Sequence, residues 1–409
     1  MKKQILISIS IITFLLIATS LVIMYGRGYR FGFENGKPDL TSTGLLVATS
    51  NPNGAQVFIN DHLTTATDNT LNLFPGTYKV RIYKEGYLPW EKEIKIQKEV
   101  VAKAEALLFS TAPKLESITA SGVENPVVDP SLTRIAYTVT SVSAKKNGIY
   151  ILDMSTKLIL TLQSASSQIT DDSIDIFSKA SLAWSPDGTQ LVATVSAGEN
   201  QTTYLLPASG FNDSPKDVTQ TLTMTESAWQ KEKLEKEKAR LDSLKPILRK
   251  IILKDFTVLS WSPDETKILY KASGSATIPL VIKPRMIGTD SAPEERTIKK
   301  GVIYVYDIKE DKNFKILEEL STNCDISGAF QLYVCHLPLN WTVDSKHLVR
   351  VWDKRINIMD YDGLNSTTVY AGPFVDNYVF PWTNASKILI LTNLNNPNIP
   401  ANLYTIELK

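Results

Sequence analysis

Leu182-Ala183-Trp184-Ser185-Pro186-Asp187-Gly188-Thr189-Gln190-Leu191-Val192-Ala193 and Leu259-Ser260-Trp261-Ser262-Pro263-Asp264-Glu265-Thr266-Lys267-Ile268-Leu269-Tyr270 are near-copies of one another, and their reading decides the fold. Each reads as strand, tight turn, strand: a Trp closes the first strand, Ser-Pro-Asp followed by Gly188 or Glu265 supplies turn chemistry, and a buried strand follows. Degenerate copies start at Val127, Leu339 and Phe380 and carry Asp129, Trp341 with Asp344, and Trp382, which makes five. After a variable loop each is followed by a second motif, at 149–153, 203–207, 303–307, 356–360 and 403–407, ending in an acid or a turn residue. Two motifs recurring in register are the signature of a repeat architecture. A unit that is apolar on both faces must stack on its neighbours, so the units close around an axis as a β-propeller of five blades, or six if 164–180 or 320–336 holds an eroded copy. The last copy stops after its third strand, and 115–119, just before the first copy, is the expected donor of the missing fourth.

The two best Trp motifs lie 77 residues apart, well beyond the ~40 to 45 of a typical blade. Residues 223–250 account for the excess as an inserted helix. Thr223-Met224-Thr225-Glu226 has capping-box form, Lys231/Glu235, Glu232/Lys236 and Lys233/Glu237 are spaced i,i+4, and Leu234, Leu241 and Leu248 recur at heptad spacing until Pro246 disturbs the run. A second insert, 273–300, is rich in proline and charge and reads as a loop. Trp-Ser-Pro-Asp-Gly resembles the blade motif of TolB-like (PD40, WD40-like) propellers, and Met359-Asp360-Tyr361-Asp362-Gly363 is similar to the turn after their third strand. The resemblance spans essentially all of 113–409 and assigns Trp184, Asp187, Trp261, Asp264, Trp341, Asp344 and Trp382 structural rather than chemical roles.

Ahead of the propeller, 44–110 alternates short strands with turn signals, as a compact antiparallel sandwich does. Pro52-Asn53-Gly54-Ala55, then 73–80 around Pro75-Gly76, then Lys84-Glu85-Gly86-Tyr87-Leu88-Pro89-Trp90 resemble the PEGA domain family. Gly54 and Gly76 suit tight turns, and Tyr78, Val80 and Ile82 alternate onto one face. The resemblance implies a non-catalytic module of envelope proteins. Tyr87 and Trp90 have two readings, a carbohydrate-stacking patch or, favoured for a Trp in so small a domain, core.

A short basic tail, 1–4, precedes 5–25, an uncharged and mostly apolar run of 21 residues, long enough at ~1.5 Å per residue to cross a ~30 Å hydrocarbon core. Its apolar stretch continues past the small residues Ala18-Thr19-Ser20, which favours a retained anchor over a cleaved signal peptide. Lys2 and Lys3 nearly balance Arg27, Arg30 and Lys37 across it, so charge alone leaves orientation open. The three-residue lead argues for a cytoplasmic N-terminus and an extracytoplasmic bulk, at a cell surface or in a periplasm. Residues 26–43, with four glycines before Pro38, read as a turn-rich linker.

The formal net charge of +1, from 44 basic and 43 acidic residues, provides no field for a polyanion, so no nucleic-acid partner is expected. Two cysteines cannot supply a four-thiolate metal site; Cys324 and Cys335 are either a disulfide pair or two free thiols. No Gly-x-Ser-x-Gly elbow occurs, and the three histidines are His62, His336 and His347. Cys335 and His336, adjacent on a predicted strand, point to opposite faces and cannot form a nucleophile pair. Asp360-x-Asp362-Gly363 reads as a hairpin turn rather than a calcium loop. No cofactor is expected. The sequence thus predicts an all-β, non-enzymatic binding or scaffolding protein for an envelope protein or polysaccharide. The alternatives are a glycosidase- or lyase-type propeller enzyme with carboxylates at its channel, and a purely structural envelope component.

Overall fold

The computed structural model describes residues 2–26, 29–34, 37–140, 143–155, 166–198, 200–319, 339–375 and 378–409. Its globular chain forms two compact units, one of residues 1–108 with 282–293 and one of residues 109–281 with 294–409. The first begins with helix α1 (Lys2–Gly26), in which Ile7–Gly26, with a mean hydropathy of 2.5, is long and apolar enough to cross a membrane. Within the stretch read as a turn-rich linker, Tyr29–Glu34 and Lys37–Ser42 pair as antiparallel strands.

The small domain is a two-sheet sandwich. One sheet orders Asn69–Leu73, Gly44–Asn51 and Val101–Leu107; the other orders His62–Ala66, Gln56–Ile59, Gly76–Tyr83 and Trp90–Ile96. It is not wholly antiparallel, because Gly44–Asn51 and Val101–Leu107, its first and last strands, run parallel with the second sheet serving as their crossover. Period-two alternation turns Leu46, Ala48, Ala102 and Ala104 inward against Val57, Val80, Ile82, Trp90 and Ile94 of the other sheet. Gly54 has φ +70° and occupies the left-handed region, whereas Gly76 opens a strand and needs no such freedom.

Among the described residues the second unit contains five four-stranded antiparallel sheets. The first runs Glu124–Val128, Arg134–Val139, Gly148–Asp153 and Ser166–Asp171; the second Ser181–Trp184, Gln190–Ala197, Asn200–Pro207 and Lys216–Asp217. The third runs Phe256–Trp261, Lys267–Ala272, Ile303–Asp307 and Lys312–Leu317; the fourth Leu339–Trp341, His347–Trp352, Arg355–Asp360 and Thr367–Tyr370. The fifth combines Val379–Pro381, Lys387–Thr392 and Asn402–Glu407 with Leu115–Ser117, which pairs antiparallel to Asn402–Glu407. A strand from before the first repeat therefore completes the last.

The continuous apolar runs in these strands follow from burial on both faces. Along Arg134–Val139, Ala136 packs toward Leu182, Trp184 and Leu191 of the second sheet, while Ile135 and Tyr137 pack toward Phe380, Trp382 and Leu389 of the fifth. Leu269 and Val305 of the third sheet meet Leu339, Trp341 and Met359 of the fourth in the same way.

The 223–250 insertion is two helices, α2 (Leu222–Asp242) and α3 (Pro246–Asp255), because Lys245 is extended (ψ 138°) and Pro246 starts a new helix at N1. Thr223 lies inside α2 and is not its cap; a 3-10 turn at Thr219–Thr221 leads in, and no side chain caps Thr221's position. Lys231 and Glu235 approach to 4.0 Å and Glu232 and Lys236 to 2.8 Å. The leucine stripe is discontinuous: Leu234 is exposed and Leu248 buried, and Trp229 is what α2 buries.

Closure is reinforced by buried polar contacts: Thr119 Oγ1 donates to Asn402 Oδ1 (3.1 Å) and accepts from Leu403 N (2.9 Å). Thr119→Val takes the hydroxyl acceptor from the Leu403 amide, while Asn402 Oδ1 keeps the Gly122 amide (3.0 Å), and is expected to cost about 1–3 kcal/mol. Deleting 115–117 is expected to replace one cooperative calorimetric transition with a broad one; an unaltered melt of the deletion variant would show that closure lies elsewhere.

Candidate functional site

The repeated turns share one backbone. Ser185 N, Ser262 N, Thr342 N, Trp382 N and Asp129 N each donate to the carbonyl five residues on, at 2.9 to 3.0 Å. Three residues after each of these donors stands a left-handed residue: Gly188, Glu265, Ser345, Ala385 and Leu132, with φ between +51° and +71°. By this register Trp382 occupies the place of Ser185, and Pro381 that of Trp184, so the fifth copy is one residue shorter than its Trp suggests. Trp382 is nonetheless buried, between the fifth and first sheets.

In three copies a carboxylate two residues after the first donor closes the turn. Asp187 accepts from Ser185 Oγ (2.6 Å) and from Thr189 N (3.0 Å) and Oγ1 (2.7 Å). Asp264 accepts from Ser262 Oγ (2.7 Å), Thr266 N (3.1 Å) and Thr266 Oγ1 (2.8 Å). The Ser185 hydroxyl and Thr189 amide hold the Asp187 carboxyl down to about 2. The first copy exchanges the two roles: Asp129 stands where the serine stands elsewhere and accepts from Ser131 Oγ (2.5 Å) and Arg134 N (2.8 Å). The fifth uses Asn384, which accepts from Ser386 N (3.0 Å).

Neighbouring turns are joined to one another. Arg134 NH2 donates to Gly188 O (2.5 Å), Asp264 N to Ser345 Oγ (3.0 Å), and Thr383 Oγ1 to Met154 O (2.8 Å). Helix α2 links the second and third turns through Lys236 Nζ to Pro186 O (3.0 Å) and Arg240 Nε to Glu265 Oε1 (2.7 Å), and Trp261 Nε1 donates to its Glu237 (3.2 Å). Trp184 Nε1 donates to Val127 O (3.0 Å) of the sheet before it. The acids ending the third strands also have partners in register: Asp153 faces Arg134, Asp307 Lys267, Asp360 His347 and Glu407 Lys387, with the uncharged pair Pro207 and Gln190 in the second sheet. Two of these are ion pairs, Lys267–Asp307 at 3.9 Å and His347–Asp360 at 3.5 Å, whereas Arg134 turns to Asp129 and Lys387 to Glu116.

The fourth sheet has the most buried version. His347 Nδ1 lies 2.8 Å from Asp344 Oδ2 and its Nε2 3.5 Å from Asp360 Oδ1, with a side chain 7 % exposed. Burial pulls the imidazolium pKa down, but the hydrogen bond and charge of Asp344 and the charge of Asp360 outweigh it, leaving it raised. Burial raises Asp344, and His347, the Thr342 hydroxyl and the Lys346 amide more than offset this, holding it well below the carboxylate range. Asp362 Oδ1 accepts from Leu364 N (3.0 Å), and Gly363, at φ +84°, has space for no Cβ against Lys315 O, as a packed hairpin turn requires.

The opposite ends of the sheets carry the second-to-third-strand hairpin tips and the sheet-to-sheet connections. The connections 172–180 and 218–255 leave from there and 393–401 forms a tip there, while helix α2 of 218–255 reaches back to the Asp turns through Lys236 and Arg240. The exposed apolar side chains Ile174, Ile176, Trp352, Val375, Leu394 and Ile399 lie at these opposite ends. Trp352 is 53 % exposed on a two-residue tip whose Asp353 and Lys354 both have positive φ (50° and 54°), and Arg350 stacks over its ring at 4.9 Å. No other copy of the repeat has a Trp at the position of Trp352, whose sequence signal is a Trp beside a tight Asp-Lys tip.

Trp90 is 5 % exposed in the small domain's core with Tyr87 packed against it, which leaves no stacking patch there. His62 starts an exposed strand. Cys324, Cys335 and His336 lie outside the described residues, among which no group of three or more His, Cys, Asp or Glu could hold a metal.

His347 is stabilising in its charged form at and below pH ~6.5, and that contribution fades as pH rises through its elevated native pKa; Asp344's is present above pH ~4 and lost in acid. Asp344→Asn is expected to cost about 2–4 kcal/mol at pH 6, and the gap from wild type, read by urea melts, should narrow toward alkaline pH.

Residues 43–109 match the family model described as PEGA domain. Solved structures similar to the chain include a TolB of Agrobacterium tumefaciens (12% identity, TM-score 0.23, covering 72% of this chain and 83% of that one). TolB of Acinetobacter baumannii shares 16% identity at a TM-score of 0.17, covering 91% and 65%. The β-propeller domain of the trilobed protease of Pyrococcus furiosus shares 12% at 0.21, covering 89% and 95%. No curated protein matches the chain. Its own strand pairings define the propeller, and the chain carries a PEGA domain at residues 43–109 ahead of it.

Proposed function

We propose that this protein is a membrane-anchored, non-enzymatic binding or scaffolding protein that presents its propeller to a protein of the cell envelope. The observation that carries this reading is the asymmetry of the propeller's two ends. The Asp-turn end is repeated, cross-linked and uses its polar groups internally; among the described residues the opposite end carries the unrepeated stretches 172–180 and 393–401 with their exposed aliphatic side chains and the exposed Trp352. Variable loops on a rigid scaffold are where binding surfaces are built. An exposed Trp stacked by Arg, on a tip with little conformational entropy to lose, is the residue chemistry of an interface anchor. Aliphatic neighbours suit a protein surface better than a polysaccharide. Helix α1 supplies the anchor, and the N-terminus is assigned to the cytoplasm and the bulk to the cell surface or periplasm.

Photo-crosslinker incorporated at 352 or 394, in cells, is expected to capture a discrete protein, while the same group at Phe211, exposed at the Asp-turn end, captures none. Trp352→Ala should weaken co-purification of that protein about tenfold or more without changing the thermal melt. Equal capture from both ends would defeat the reading, and capture of glycan alone would redirect it to a polysaccharide. Labelling at residue 354 by an impermeant thiol reagent in intact cells, after Lys354→Cys, tests the compartment.

A further inference from the structure

The second insert reads in sequence as a solvated loop, yet its middle, 282–293, belongs to the compact unit of the small domain while its flanks belong to the propeller. The flanks are fixed first. Ala276 and Thr277 pair with Ile298 and Thr297. Arg296 donates to Ile278 O (3.0 Å), Pro279 O (2.7 Å) and Asp311 Oδ1 (2.8 Å), while Asp311 Oδ2 accepts from Val281 N (2.7 Å). Asp311 thus pins both ends of the segment.

The segment itself is held by the small domain through specific contacts. Asp290 meets Lys92 Nζ at 2.8 Å, with the two side chains only 9 % and 11 % exposed. Ser291 Oγ accepts from Lys95 N (3.0 Å), and Gly288 N donates to Gln97 Oε1 (3.1 Å). Gly288 has φ +70°, and a Cβ there would stand 2.7 Å from Val100 Cγ1 and 3.2 Å from Val101 O. Ala292 is buried, and its amide donates to Asp290 Oδ1 (2.8 Å). These contacts cluster on Trp90–Ile96 and the residues after it, the edge strand of its sheet.

We propose that this edge of the PEGA domain is a peptide-docking site for a Gly-x-Asp-Ser segment bent at its glycine, and that its resident occupant is 288–291 of the same chain. The site reads its ligand through a close-fitting glycine, a buried Lys92 that requires a carboxylate, and a strand amide that requires a hydroxyl. Occupancy covers an edge that would otherwise be open to pairing with another chain. A buried ammonium left without its carboxylate is strongly unfavourable, so the pair couples docking of 282–293 to the domain's own order.

Hydrogen exchange on the full chain in detergent micelles tests this at the amides of Lys95 and Gly288. Both are expected to be protected in wild type and to exchange at least tenfold faster in Asp290→Ala and in Gly288→Val. In Lys92→Met the same rise is expected, and Lys92→Met/Asp290→Ala should be no faster than the worse single variant. The Val80 amide, in the domain's core strand, reports whether a variant has unfolded the domain; if Lys92→Met has, the two loop variants decide alone. Fast exchange at both amides in wild type, no change in the loop variants, or multiplied effects in the double variant would each overturn the proposal.

Discussion

A four-stranded sheet whose faces are both apolar has no stable existence by itself, and everything else in the propeller answers to that constraint. Ile135 and Ala136, adjacent in one strand, pack into different inter-sheet cores, one toward the fifth sheet and one toward the second. At ~25 cal/mol per Å² of apolar area, no sheet could leave one of those faces in water. Stacking must therefore continue until the ring returns on itself, which is why Leu115–Ser117 joins the last sheet rather than the first.

The Asp turns show how much chemical latitude that architecture leaves. A serine followed two residues later by aspartate, an aspartate followed by serine, and an asparagine alone all close the same backbone, because what is needed is an oxygen acceptor facing the following amides. Turn-to-turn contacts then consume one end of the propeller. Two helices and a loop of about thirty residues are inserted between strands without disturbing a strand pairing, and helix α2 reaches back to bond two of the turns.

The PEGA domain obeys the same economy of burial at smaller scale. Its parallel pairing of first and last strands ties both ends of a short sequence into one sheet, and Trp90 lies in the core, the reading its sequence context favoured. Lys92, Lys95 and Gln97 are unremarkable polar positions on an alternating strand; their role becomes visible only with Gly288, Asp290 and Ser291 beside them.

Local and periodic features were legible in the sequence, because they depend on near neighbours: the apolar span of α1, the strand–turn–strand repeats around Trp184 and Trp261, the excess of residues after the second sheet, and the PEGA-like turns. The register of the fifth repeat was not, since Trp382 resembles the motif Trp while the backbone bond from its amide places it one step later. Nor was the break at Lys245, where a proline read as a disturbance in one helix starts another. The exposed Trp352 and the docking of 282–293 were beyond reach for a stronger reason. Exposure is a property of what surrounds a side chain, and Lys92 and Asp290 are 198 residues apart. By itself the sequence determined the β-rich class, the repeats and the N-terminal apolar helix; only the tertiary structure decided which ends meet, which polar groups are already satisfied and which side chains stay exposed.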